Sequence, residues 1–380
     1  MARRSPLRLL TETQESSDFS FTVASRADEP EVRRLLRDNP LGGRFAISLE
    51  REPDAFASDF GIAQSHIFVI ARSRGTGQAV GLCERIVRPA YFGGRARPLA
   101  YLGGLRVDPR YRNRISMLRG GFAAVQRFAD ASVAWPFALT SITSDNLVAR
   151  RVLTAGVRGL PRYQAVGEFS TFALRARRRR AIPEISRASD ADIPDIAAFL
   201  QEINAQFSFG AVWTEADFVA LRSRGLRSQD ILIARRGGAL IGCLAVWDQR
   251  GIKQAVVRAY PRGIAQLRPL INLAAPLLGS ATLPKVGRPI NHAYLSHLAV
   301  REDRAEVFLD LLRAGLDQAH RRGFDVATIG MAPSRGLSAL VRRFRPIEYR
   351  TTLYLVTSGA APAPDSQLIA APPHPELAMM

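Results

Sequence analysis

Residues 101–121 read YLGGLRVDPRYRNRISMLRGG. An apolar strand, LAYLGGLRV, runs into the turn V-D-P-R-Y-R, and a helix is expected from about Ile115 to Ala131. That order makes a natural anion cradle, because the first N–H groups of a helix lack internal partners and carry the positive end of its dipole. Glycines after the turn would let backbone approach a phosphate closely, yet none follows before Gly120. Gly103-Gly104 within the strand predicts a bulge or a close backbone approach.

The surrounding chain repeats itself. Ser25-Arg26-Ala27 recurs as Ser186-Arg187-Ala188, and Gly81 in QAVGLC as Gly242 in ALIGCL, both at an offset of 161. AYLGGLRV at 100–107 recurs as AYLSHLAV at 293–300, now at an offset of 193. Shared order with a changed offset implies a duplicated domain whose second copy carries an insert, placed at 252–290. Each copy reads as strand, helix, strands, a strand leading into a long helix, strand, helix, strand, which is an α/β layered fold.

Boundaries follow from composition. Residues 1–20 form an N-terminal extension, 21–175 the first domain, 176–183 a basic linker that carries most of the arginine run RARRRR (175–180) and closes at Pro183, and 184–356 the second domain. The tail 357–380, rich in Ala and Pro, is expected to be disordered. Within the insert, IAQLRPLINLAAPLL suggests a helix broken at Pro269, read either as packed on the sheet or as a lid or membrane-touching segment.

At 380 residues, 47% hydrophobic and 23% charged, the chain is an ordinary globular one. The net charge is +19, and all of the 53 basic residues are Arg except Lys253 and Lys285. Such a surface favours acidic partners, although an arginine skew also arises without any ligand. Cys83 and Cys243 are too few for a disulfide framework or a metal site, and His292 and His297 have no further ligands at suitable spacing. No metal is expected. No apolar run is long enough for a transmembrane segment, so a cytoplasmic location is the expectation.

Strand, V-x-P-x-Y-R, long helix, a strand ending near Asn and then A-x-x-x-L together resemble the GNAT acyltransferase superfamily over about 21–175 and 184–356. The resemblance implies two tandem domains, each a mixed, mostly antiparallel sheet with helices on both faces. It also implies acetyl-CoA or another acyl-CoA as co-substrate. Its cofactor contacts fall on Leu105, Arg106, Val107, Arg112, Asn113, Arg114, Ile115, Ser116, Met117 and Asn146. The glycine positions of the family pattern are Ile115 and Met117 here, so an anion would be held through side chains, with arginines pairing to phosphate. Asp145-Asn146 reads equally as a helix cap. In the second copy the turn becomes V-R-E-D-R, with Glu302 and Asp303 where a phosphate would sit, which reads as a non-binding copy.

The expected activity is N-acyl transfer by direct attack of an amine on the thioester, with a small molecule or a peptide as acceptor. Glu84, a carboxylate on an otherwise apolar strand, is the expected base, with Glu168 next. Each also reads as a strand-edge carboxylate paired with Arg. The family often places a tyrosine at what is Leu153 here. Tyr163 is the nearest substitute as general acid, and a buried core tyrosine is the other reading. Two alternatives remain open: an aminoacyl-tRNA-dependent transferase of tandem GNAT-like fold, and a catalytically dead binding module. Nucleic acid is the weaker partner class, since the arginine run has no interleaved aromatics. A homodimer surface also stays open.

Overall fold

The computed structural model describes residues 14–15, 18–41, 45–129, 136–275, 277–278, 282–357 and 369–380. The first copy contributes β1 (Gln14–Glu15), β2 (Phe19–Val23), α1 (Glu29–Asp38), β3 (Ala46–Glu50), β4 (Ser65–Ser73), β5 (Ala79–Phe92) and β6 (Arg95–Val107). It continues with α2 (Ile115–Arg127), β7 (Phe137–Thr143), α3 (Leu147–Leu153) and β8 (Arg162–Arg175). The second contributes β9 (Ile185–Arg187), α4 (Ile193–Asn204), α5 (Glu215–Arg222), β10 (Ile231–Arg236), β11 (Ala239–Trp247), β12 (Gln254–Ala259) and α6 (Arg262–Ala274). Then come β13 (His292–Val300), α7 (Ala305–Arg321), β14 (Val326–Met331), α8 (Leu337–Arg342) and β15 (Ile347–Thr357).

Both copies join in one sheet of 13 strands, ordered β1-β2-β4-β5-β6-β7-β15-β8-β14-β13-β11-β10-β9. Among the described strand pairs β6·β7 and β13·β14 are parallel and the rest antiparallel, so the sheet is mixed and mostly antiparallel. The copies exchange their last strands. β15, from the second copy, pairs with β7 of the first, while β8 pairs with β14. β8 and β15 also pair with each other, from Ile347↔Ala173 to Thr357↔Arg162. A sequence boundary at 175 therefore cuts through a shared sheet.

Helices cover both faces because the strands are apolar on both sides. α2 packs Met117 and Phe122 over Phe21 and Val69, while α1 packs over Phe68, Ile70 and Leu82. α7 and α4 do the same for the second copy, over Leu244 and Val246 on one side and Cys243, Ala245 and Trp247 on the other. No helix among the described residues is long and apolar enough to cross a membrane.

Two expectations need correcting. The insert is more than a helix, for it opens with β12, which pairs with β3 of the first copy from Gln254↔Glu50 to Ala259↔Ala46. The tail is not wholly disordered. Residues 358–368 lie outside the described ones, but Pro373, His374, Ala378 and Met379 are buried. Composition misled because a Pro-rich extended segment needs no helix or broad sheet when a groove receives it. Ser208 N–H donates to Pro372 and His374 N–H donates back to Ser208. Gly330 on β14 makes room for Leu377, whose Cβ would lie 2.7 Å from any Cβ placed there.

Candidate functional site

The site grows out of the bulge that the glycine pair predicts. Leu82 faces Arg106 and Glu84 faces Gly103, so the β5·β6 register slips between them. Gly104 absorbs the slip at φ +59, a left-handed conformation that a side chain would strain. A Cβ there would also come within 3.2 Å of the Glu84 Cβ. Beyond this point β6 leaves its other neighbour, because β6 and β7 pair only at Ala100↔Ala138 and Tyr101↔Leu139. Two side-chain bonds pin the fork, Tyr101 hydroxyl with Ser141 hydroxyl at 2.8 Å and Thr140 hydroxyl to the Leu102 carbonyl at 2.7 Å.

Side chains alternate across the sheet here, and they sort the expected residues onto two faces. Leu105, Val107 and Tyr163 join Cys83, Met117 and Phe122 on the α2 face. A small apolar crevice of about 30 Å³ lies there, lined by Phe21, Gly81, Cys83, Leu105, Met117 and Phe122 among others. Glu84, Arg106 and Tyr101 occupy the opposite face by register. Arg106 is buried there with its guanidinium on the Leu105 carbonyl at 2.9 Å, and burial followed by the Arg51 charge lowers its pKa to about 10.

Arg106 therefore turns away from the start of α2, where an anion contact was expected. The other loop residues stay beside that start. α2 begins with no side chain capping its first turn. Ile115 points partly to solvent and Met117 is buried against Gly81, so neither covers the helix end from above. Arg112 donates to the Val107 carbonyl at 3.2 Å, and Arg114 lies 3.6 Å from Asp18. Asn113 is exposed and Ser116 half-buried. Asn146 caps α3, its side-chain oxygen accepting from Ala149 N–H at 3.1 Å.

Glu84 sits in a buried polar cluster. One carboxylate oxygen accepts from the Ser58 hydroxyl at 2.8 Å and meets His66 Nε2 at 3.0 Å, while the other lies 3.9 Å from Arg51. Burial alone would raise its pKa, but the His66 bond and the Arg51 charge outweigh it and hold it near 2. Glu84 pairs with Arg51 and His66, not with its neighbour Arg85. Tyr163 does not join this cluster. It packs edge-on against Phe122 and Tyr354, and burial pushes its hydroxyl far up, which makes it a poor proton donor. Glu168 is exposed. Burial raises both Cys83 and Cys243 to about 12, so neither supplies a thiolate nucleophile.

The sequence reading missed the second copy's contribution to this cluster. Lys253, at the start of β12, is buried with its ammonium on the Ala378 and Met380 backbone oxygens at 3.2 and 3.0 Å. Burial, then the Arg51 and Arg88 charges, push its pKa well down. Arg88 reaches the Met379 carbonyl at 3.0 Å. Residues 369–380 thus run along the seam between the copies. The only sequence signal was local, namely that Lys253 is one of two lysines in a chain that otherwise uses arginine.

In the second copy the same fork exists and is filled. β13 and β14 pair only at His292–Tyr294 and then part. His297 holds the left-handed bulge position at φ +52. Leu377–Met379 contacts both β13 and β14, and the Glu376 carboxylate accepts the His297 N–H at 2.8 Å. At the following turn Asp303 is paired with buried Arg335 and Glu302 with Arg304. The fork of this copy is thus filled from within the chain, and its turn carries two carboxylates where an anion would sit, although α7, like α2, has no side-chain cap.

With this geometry in hand, solved structures give the match. Saccharomyces cerevisiae N-myristoyltransferase with bound myristoyl-CoA superposes with a TM-score of 0.60 at 11% identity, covering 95% of this chain and 88% of that one. A GCN5-related N-acetyltransferase from Sphaerobacter thermophilus gives 0.53 at 13% identity, covering 92% and 98%. The chain has the GNAT fold, in tandem. No protein-family profile matches it, and no curated protein matches it by sequence. Both relatives span nearly the whole chain, so the strand-exchanged pair of GNAT units compares as one body.

Proposed function

We propose that the protein is an acyl-CoA-dependent N-acyltransferase whose first copy receives the cofactor. The observation that carries this reading is the fork between β6 and β7 beside the Gly104 bulge, leading directly to the uncapped start of α2. A strand-like pantetheine arm fits such a fork, since the edges of β6 and β7 beyond Tyr101 have no strand partner in each other. The pyrophosphate would lie at the first turn of α2, with Arg112, Arg114, Asn113 and Ser116 around it. Bound acyl-CoA supplies the activated acyl group that the acceptor amine attacks.

The chain's own residues then have separate tasks. The bulge at Gly104 turns strand amides towards the fork, where they would stabilise a developing oxyanion. Glu84 and His66, on the opposite face, would take up the amine proton as a pair, with Ser58 and Arg51 fixing the carboxylate. Glu84 alone, held near pKa 2, is a weak base at neutral pH, so its part in the pair is to orient His66 through their 3.0 Å contact. Burial of both cysteines agrees with direct transfer. The acceptor is a small-molecule or peptide amine reaching the seam between the copies.

The test is acyl transfer with acetyl-, octanoyl- and myristoyl-CoA against amine and peptide acceptors, read as free thiol release. Transfer lost in His66→Gln and Gly104→Val, with folding retained, supports the reading. Release of thiol that neither variant changes would overturn it.

A further inference from the structure

One helix leaves its leucines outside. α6 turns half-buried Ile264, Arg268, Ile271 and Asn272 towards the protein and its leucines towards solvent. Its inner face is tied to the returning chain, with Asn272 bonding Leu283 through both its amide nitrogen (3.0 Å) and oxygen (2.7 Å), and Arg268 donating to the Leu283 carbonyl at 3.2 Å. No residue of the helix is fully buried. Leu267, Leu270 and Leu273 recur three residues apart in a stripe on α6, with exposures rising from 52% to 77%, and Leu277 and Leu278 in the turn beyond its end are exposed at 90% and 65%. Helices of globular proteins put that stripe on the core, and a contiguous exposed one marks a contact surface.

The charge around the stripe has one sign. No Asp or Glu occurs from Gln249 to Arg301. Arg262, Lys285 and Arg288 have no carboxylate partner among the described residues. The basic linker arrives at the same place, since the Arg175 guanidinium donates to the Ala275 carbonyl at 3.4 Å, just past the end of α6. Arg177, Arg178 and Arg180 follow, exposed. A leucine stripe rimmed by arginine and lysine side chains matches the apolar boundary and anionic headgroups of a phospholipid surface. A second copy of this +19 chain would bring like charge against like.

We infer that α6 with the arginine run 177–180 is a peripheral docking surface for anionic phospholipid bilayers. The leucines enter the acyl boundary and the arginines meet the headgroups. This is independent of the acyl-transfer reading.

The full chain is tested by co-sedimentation with vesicles of phosphatidylcholine alone and of phosphatidylcholine mixed with phosphatidylglycerol. The wild-type protein should bind the mixed vesicles, bind neutral ones far less, and release as salt rises. Leu270→Glu with Leu277→Glu should weaken binding about tenfold or more, as should Arg177→Ser with Arg178→Ser and Arg180→Ser. Val219→Glu, at another exposed apolar position on α5, should leave binding unchanged. All variants alter exposed side chains and should melt like wild type, and the arginine variant reads the surface even if the leucine one does not fold. No binding to mixed vesicles at low salt would overturn the proposal. So would a dimer in solution that the leucine variant dissolves, because that would place a second copy on the stripe.

Discussion

The backbone N–H of His297 donates to the Glu376 carboxylate at 2.8 Å, and His297 holds in the second copy the left-handed position that Gly104 holds in the first. The chain thus places its own carboxylate on the amide whose counterpart is proposed to face the cofactor. The second copy's fork is a socket for residues 369–380. Removing the plug should therefore cost stability without creating a second cofactor site. Glu376→Ala should destabilise by on the order of 1–3 kcal/mol, read by urea unfolding, with acyl-CoA stoichiometry unchanged.

Glu376 and Glu84 should bend stability in opposite directions with pH. Burial raises Glu376 from 4.5 to about 7, so the folded state holds that proton more tightly. Its contribution is full below about pH 4.5 and is lost as pH rises through 7. Glu84 is lowered from 4.5 to about 2, so its contribution is full above 4.5 and is lost as pH falls through 2. Unfolding across this range should show Glu376→Gln flattening the neutral limb and Glu84→Gln flattening the acid limb.

Gly104 should tolerate no side chain. Its φ of +59 and the nearby Glu84 Cβ give two independent penalties. Gly104→Ala should lower stability by about 1–3 kcal/mol and, if the bulge orients amides as proposed, slow turnover more than it weakens cofactor binding. Steady-state kinetics beside thermal melts would separate the two effects.

Strand exchange forbids splitting the chain at its sequence boundary. A fragment of residues 184–356 would leave β15 without either neighbour, since β7 and β8 both belong to the first half. Neither half should unfold cooperatively alone, whereas the two co-expressed should reassemble. Circular dichroism melts of each half would decide this.

Much of the fold was legible in the repeat, because strand alternation and the AYLxxLxV motif carry the layer order and the bulge. The exchange of β8 and β15 was not legible, since either partner satisfies the same apolar pattern on a terminal strand. Glu84 stood out as a charge on an apolar strand. Its partners Ser58 and His66 did not, because only the β4·β5 register brings His66 beside it. Which face Arg106 takes was not legible either, because the Gly104 bulge shifts register between Leu82 and Glu84. The plug was hidden by composition, for Ala and Pro look the same in a solvated tail and in an extended segment seated in a groove.

Calorimetric titration of the full chain with a non-hydrolysable acyl-CoA analogue tests the central claim most directly, run at low and physiological salt. One molecule should bind per chain, with a shallow salt dependence because few cations touch a single cofactor. Arg112→Ala with Arg114→Ala should weaken it by roughly 1.5–3 kcal/mol per lost charge-assisted bond, while Arg335→Ala in the second copy should leave stoichiometry at one. No acyl-CoA binding, together with tRNA binding that persists at physiological salt, would contradict the account and move the protein to the aminoacyl-tRNA-dependent class.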